Sequence, residues 1–215
     1  MANVHFAVQV RWNMNVVMNW KIMHILIFPN IELRLNTFVG RDAHAVNYHV
    51  IFSDTVADHD IEQNFLNQLQ LVYKPGSTLP LTQDNIRRIG KEYKENNGGK
   101  GDDYAVGLEQ AVVSYDNVLQ VLKNAIFQDK YLITIPIDED LSNIDCSGRD
   151  TSTRKVLYQQ CDCLLTSNAK TRAWALAKGR EEEQKSEFST IKPCIWGSDA
   201  HNYEKMFEPD GQRYC

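Results

Sequence analysis

Short apolar runs of strand length recur along the chain, separated by longer polar or helix-like stretches. Each run is apolar nearly throughout and rich in branched or aromatic residues, which is typical of strands buried in a parallel sheet. We therefore predict five strands, at Ile25–Phe28, Tyr48–Phe52, Tyr131–Ile135, Cys163–Leu165 and Cys194–Trp196.

Helical periodicity appears between these runs. It is clearest from Tyr104 to Ile126, where six apolar side chains step by four and three and so share one helix face. Similar spacing predicts four further helices, at Asp60–Leu69, Thr82–Glu95, Thr151–Gln160 and Ala169–Lys178. Strands that alternate with helices predict an α/β fold with a mostly parallel sheet.

Composition limits the class of protein. The chain has 215 residues, of which 43% are apolar and 24% charged, enough for one sizeable core or two small ones. Four Trp, nine Tyr and eight Phe exclude a disordered linker. The five cysteines are odd in number and contain no Cys-x-x-Cys pair, so we interpret them as thiols in a reducing compartment.

Net charge and targeting signals limit the partners and the location of the protein. The net charge of −5 gives no general attraction for nucleic acid, so a nucleic-acid substrate would need a local cluster of basic residues such as Lys91, Lys94, Lys100 or Arg172. The apolar stretch at Val16–Phe28 is too short and too polar to span a bilayer, and it lacks the features of a secretory signal. We therefore expect a cytoplasmic protein with no membrane partner.

Candidate chemistry follows from where parallel strands end, because their carboxyl ends and the loops that follow open on one face. Glu32 after the first predicted strand, His49 in the second, and Asp199 with His201 after the last satisfy this condition. Mixed imidazole and carboxylate ligands suit Zn, Mn or Fe. Taken singly, a strand histidine is more often a hydrogen-bonded core residue, and a glutamate after a strand is more often a surface charge.

Two other signals are weaker. The glycine-rich stretch at Asn97–Gly101 lacks the spacing of a phosphate-binding loop and a preceding strand, so we interpret it as an exposed turn. The sequence also contains no Gly-x-Ser-x-Gly nucleophile motif.

Several motifs together resemble a known family. They are Leu26–Leu35 (LIFPNIELRL), Asn47–Asp54 (NYHVIFSD) and Lys192–His201 (KPCIWGSDAH), with Tyr131–Pro136 and Leu165–Asn168 between them. In this order they resemble the PHP (polymerase and histidinol phosphatase) metallophosphoesterase domain, and in particular the domain at the front of the TrlF-like AAA-type ATPases.

The resemblance implies a distorted, TIM-like (β/α)7 barrel of mostly parallel strands that holds two or three divalent ions (Mn, Zn, Mg or Fe) and hydrolyses phosphate esters. It assigns Glu32 as a bridging ligand and His49, Asp199 and His201 as further metal ligands at the catalytic centre. Asn168 stands where another ligand would be expected, and we assign it to substrate binding. The PHP-like region would cover residues 25–215, after a helical N-terminal segment at residues 1–24.

The chain also departs from the family pattern, because the opening His-x-His and Thr-Asp-His motifs are missing upstream of Glu32. Three hypotheses therefore stay open. The protein is a metal-dependent phosphoesterase or nuclease, an inactive PHP-like module that binds a partner or regulates an ATPase, or an unrelated α/β binding protein. An incomplete barrel would also leave an open sheet edge, which would have to be covered by Met1–Met23, by another subunit or by aggregation.

Overall fold

The computed structural model describes residues 28–39, 44–137, 149–166, 168–177 and 191–195. The chain divides into two compact units, the first formed by Met1–Thr37 with Asn47–Tyr131 and the second by Phe38–Val46 with Leu132–Cys215. The predicted N-terminal helix and residues 25–27 of the first predicted strand lie outside the described residues. So do Asp199 and His201.

The first strand hairpin consists of β1 (Asn30–Val39) and β2 (His44–Phe52), and it belongs to the first unit except for its residues within Phe38–Val46, which are assigned to the second. Only four residues separate the two strands, and a connection this short joins antiparallel neighbours. The backbone N–H of Phe52 donates to the carbonyl of Pro29 at 2.8 Å, which sets these two residues opposite one another.

Side chains alternate strictly along this hairpin. Ile31, Leu33 and Leu35 of β1 are buried, and the residues between them are half-buried. On β2 the buried positions are Val46, Tyr48, Val50 and Phe52. One face of the hairpin is therefore apolar core, and the opposite face carries the polar side chains.

A helical segment follows β2 and closes over the apolar face. It consists of α1 (Asp58–Asp60), a π-helical turn (Ile61–Phe65) and a 3-10 turn (Leu66–Gln68), close to the helix predicted at residues 60–69. Phe65 lies 5.2 Å from the ring of Phe52 and 6.2 Å from that of Phe127, with T-shaped geometry in both pairs. Edge-to-face packing of these rings anchors the helical segment on β2.

A second hairpin, which the apolar runs did not predict, joins β3 (Gln70–Lys74) and β4 (Ser77–Pro80). Pro75 and Gly76 form its turn, and Gly76 has a φ of +73°, which glycine adopts without strain. Val113 links the two hairpins because it bridges Leu35 of β1 and Leu71 of β3.

The long helix predicted from Tyr104 to Ile126 is wrong. The structure has α3 (Asp103–Gln110), α4 (Tyr115–Leu122) and a 3-10 turn (Ala125–Phe127). The chain is extended at Val112 and Val113, where backbone groups bond to Arg34, Asn36 and Val72. These sheet bonds override the helical periodicity of the side chains.

The helix α2 (Gln83–Asn97) confirms the prediction at Thr82–Glu95 and packs closely on α3. Thr82 caps it, with its side chain accepting from the Asn85 backbone N–H. It ends at Gly98, and the exposed residues 98–101 that follow fit the predicted turn.

The second unit contains β5 (Tyr131–Pro136), β6 (Cys163–Leu165) and β7 (Cys194–Ile195), which are adjacent and parallel as predicted. Two helices connect them, α5 (Arg149–Gln160) and α6 (Ala169–Ala175). The rings of Tyr158 on α5 and Trp174 on α6 meet edge to face at 5.6 Å.

The mixed α/β class is thus confirmed, whereas the expectation of a mostly parallel arrangement holds only for the second unit. The hairpin strands of the first unit are antiparallel because short connections allow no crossover helix. In neither unit do the described strands close into a barrel.

Candidate functional site

Glu32 and His49 occupy facing positions on the polar side of the first hairpin. Counting inward from the Phe52–Pro29 pair, Glu32 of β1 lies opposite His49 of β2. Side chains at such positions are direct cross-strand neighbours. Both residues are half-buried, so they stand between the core and the surface.

The location of Glu32 differs from the sequence prediction. It is the third residue of β1 and does not follow a strand that ends at Phe28, which is itself exposed and outside β1. His49 lies within its strand, as predicted. The two residues face each other because of the register of the antiparallel hairpin. The sequence prediction had instead placed them at the carboxyl ends of parallel strands.

Burial lowers the pKa of His49 from 6.5 to about 4. The ring is therefore neutral at pH 7 and keeps a nitrogen lone pair, which is the form of histidine that binds metal ions. A carboxylate facing a neutral imidazole provides the donor types that Zn, Mn and Fe accept. The Glu32 and His49 pair is thus chemically suited to a divalent metal.

Asn30 lies next to this pair. Its Nδ2 is 3.2 Å from Nδ1 of His49, a diagonal contact across the hairpin. The Asn30 Oδ1 atom is buried and has no hydrogen-bond partner within the part of the chain that the structure describes. This contact occupies Nδ1 of His49, so Nε2 is the ring nitrogen that does not contact Asn30.

Arg34 is a polar residue of the same face that the sequence prediction did not include. Its guanidinium donates to the carbonyl of Glu109 in the last turn of α3. A cation at a helix C-terminus is favourable because the last carbonyls have no partner inside the helix. Arg34 therefore joins the polar face to α3.

Asn168 begins α6. Its Oδ1 accepts from the backbone N–H groups of Lys170, at 2.8 Å, and Thr171, at 3.4 Å, as an N-cap does. The residue is exposed. This capping role uses the side-chain oxygen, and the assignment of Asn168 to substrate binding stays a prediction.

Asp199 and His201 lie outside the described residues, so their relation to Glu32 and His49 stays a prediction. Within the described ranges, no group of three or more His, Cys, Asp or Glu side chains could hold a metal ion. The described part of the chain therefore contributes two of the four predicted ligands.

The described part of the second unit contains three cysteines. Cys161 and Cys163 are buried and Cys194 is half-buried. Burial raises the pKa of Cys161 to about 12 and also raises the pKa of Cys163. Thiols with raised pKa values are poor nucleophiles at neutral pH.

Two lysines have structural partners that the sequence did not reveal. Lys192 is buried, and its ammonium donates to the carbonyls of Gln159, at 3.1 Å, and Cys161, at 2.5 Å, where α5 ends. Lys94 pairs with Asp103 at 2.5 Å and donates to the Gly101 carbonyl at 2.7 Å. Lys94 is thus engaged in holding the turn between α2 and α3.

Comparison with known proteins returns no matching family model, no matching curated protein and no matching solved structure. Among the described residues, no helix is both long and apolar enough to cross a membrane.

Proposed function

We propose that this protein is a metal-dependent phosphoesterase or nuclease of the PHP type. The observation that carries the proposal is the facing pair of Glu32 and a neutral His49 on the half-buried side of the first hairpin. The resemblance of the ordered sequence motifs supplies Asp199 and His201 as the remaining ligands, and the distorted (β/α)7 barrel belongs to the same proposal.

In this proposal Glu32 is the bridging carboxylate, and His49, Asp199 and His201 are the other ligands. A divalent metal bound there would supply an activated water and neutralise charge that develops on the phosphate. His49 suits its role because the ring as a whole is already neutral and has no net proton to lose before it binds metal at neutral pH. Asn168 is the proposed contact to substrate, which is a phosphate ester, including a nucleic acid.

A second function is an inactive PHP-like module that binds a partner or regulates an ATPase. It is favoured by residues 1–31, which contain neither the His-x-His nor the Thr-Asp-His motif that supplies the family's first ligands. As partners we propose an ATPase or, through an open sheet edge, a second copy of this chain. In both cases we propose a cytoplasmic location, supported by the free thiols of Cys161 and Cys163.

Metal content tests the proposal. The purified chain is incubated with Mn²⁺ or Zn²⁺, desalted and analysed for bound metal, alongside Glu32→Gln, His49→Gln, Asp199→Ala and His201→Ala. Matched controls are Glu62→Gln and His59→Gln, which change exposed residues of the same types on the helical segment after β2. We expect bound metal in the wild type and both controls and its loss in the four ligand variants.

Activity then separates the two functions. The metal-loaded protein is assayed with p-nitrophenyl phosphate and bis-p-nitrophenyl phosphate, which report on monoester and diester hydrolysis. Hydrolysis that the ligand variants lack supports the enzyme. Specific metal binding without hydrolysis supports the inactive module, and absence of metal from the wild type would contradict the metal site itself.

A further inference from the structure

The contact between the Asn30 carboxamide and the His49 ring determines which ring nitrogen of His49 carries the proton. Asn30 is the first residue of β1, and His49 lies three residues before the end of β2. Asn30 Nδ2 approaches His49 Nδ1 at 3.2 Å, and Asn30 Oδ1 is left buried without a partner in the described part of the chain. A buried acceptor without a donor is unfavourable, so a reversal of the amide that gave Oδ1 a donor would compensate for the lost contact of Nδ2.

The tautomer of His49 depends on this contact. A neutral imidazole carries one N–H, so an Nδ1 that accepts from the amide Nδ2 places the ring proton on Nε2. If a metal ion binds Nε2, the proton must reside on Nδ1, which then needs an acceptor. A half-turn of the Asn30 carboxamide exchanges its two ends and presents Oδ1 to that N–H.

We propose that Asn30 is the positioning residue of His49, occupying Nδ1 so that Nε2 is the nitrogen offered to metal, and reversing its amide when metal binds. The metal-binding step rests on the function proposed above, whereas the tautomer of the metal-free protein does not. With a metal bound, Asn30 Oδ1 would accept from Nδ1–H, which would satisfy the atom that has no partner in the described part of the chain.

The tautomer is measured by long-range ¹H–¹⁵N NMR of the histidine side chains at pH 7, with His49 assigned by the signals missing from His49→Gln. We expect Nε2–H in the metal-free wild type. Asn30→Asp presents only acceptor oxygens, so we expect Nδ1–H there. Addition of Zn²⁺ to the wild type should convert the ring to Nδ1–H with Nε2 bound to metal.

Affinity for Zn²⁺ provides the second readout. We expect Asn30→Ala to weaken binding by about 10- to 100-fold, as removal of a partner behind a ligating histidine does. Asn30→Asp should retain tight binding because a carboxylate can accept from Nδ1–H. The matched control is Asn36→Ala, a half-buried asparagine on the same strand, which should bind as the wild type does. Thermal denaturation of each variant checks that it is folded.

The outcomes separate the two proposals. An Nδ1–H tautomer in the metal-free wild type, or an unchanged tautomer in Asn30→Asp, would overturn the role of Asn30. So would equal Zn²⁺ affinities for Asn30→Ala and Asn36→Ala. If the wild type shows the expected tautomer but binds no Zn²⁺, the metal-site proposal and the amide reversal fail, and control of the His49 tautomer by Asn30 stands.

Discussion

At the scale of single residues, His49 couples the stability of the fold to pH. Its pKa is about 4 in the folded chain against an ordinary value of 6.5. Between these values the unfolded chain binds a proton that the folded chain does not, so stability falls as the pH drops from 6.5 to 4. Above 6.5 the ring is neutral in both states and this effect disappears.

We therefore expect acid to destabilise the wild type more than His49→Gln. Between pH 7 and pH 4.5 the additional loss should be about 2 to 3 kcal/mol, from the difference between the two pKa values. Urea unfolding at both pH values measures it, because titration of the other groups is common to both proteins. His59→Gln, at an exposed histidine, is the control for the histidine-to-glutamine change itself. Equal losses in wild type and His49→Gln would show that His49 does not titrate this way.

Two glycines decide the packing at the scale of elements. A Cβ at Gly90 of α2 would lie 1.9 Å from the carbonyl oxygen of Asp103, and a Cβ at Gly107 of α3 would lie 1.9 Å from that of Ile86. Both contacts are with backbone atoms, so a Cβ at either position can be accommodated only if one helix moves as a whole. The two helices approach closely because each has a glycine where its neighbour passes.

We expect Gly90→Ala and Gly107→Ala each to reduce the free energy of unfolding by about 1 to 3 kcal/mol, the range for overpacking a tight contact. Gly99→Ala is the matched control, because its Cβ would meet only the flexible Lys94 side chain, at 3.0 Å. Urea denaturation gives the three values. A loss at Gly90 no larger than at Gly99 would contradict the close approach of the helices.

Predictions of elements from the sequence succeed where a pattern is local. The predicted strand Cys163–Leu165 is matched by β6, and the helix predicted at Thr82–Glu95 differs from α2 by one residue at its start and two at its end. The predictions fail at residues whose partners are far away in the sequence. Val113 forms a bridge to Leu35 of β1 and to Leu71 of β3, and no periodicity near residue 113 shows that it has these neighbours.

At the scale of the whole molecule, the proposed metal site should link binding to folding. A ligand that binds only the folded chain at a hundred times its Kd adds about 2.7 kcal/mol of stability. For a protein of this size that corresponds to a rise in Tm of about 5 to 10 °C. We expect such a rise with Mn²⁺ or Zn²⁺, measured by thermal denaturation and reversed by a chelator.

The variant Glu32→Gln should lose most of that rise, whereas Glu62→Gln should keep it. Glutamine retains the size of glutamate but removes the charge, so the comparison isolates the carboxylate at the facing position. The same rise in wild type and Glu32→Gln would indicate that metal binds elsewhere on the chain.

The amino-acid sequence by itself determined the mixed α/β class, the parallel strands of the second unit and the strand position of His49, because these follow from local hydrophobic periods. Only the tertiary structure decided that β1 spans Asn30–Val39 as half of an antiparallel hairpin and that Glu32 faces His49 there. It also decided the lowered pKa of His49. Register, burial and the contact with Asn30 depend on pairing between strands, which arises only when separate segments of the chain come together.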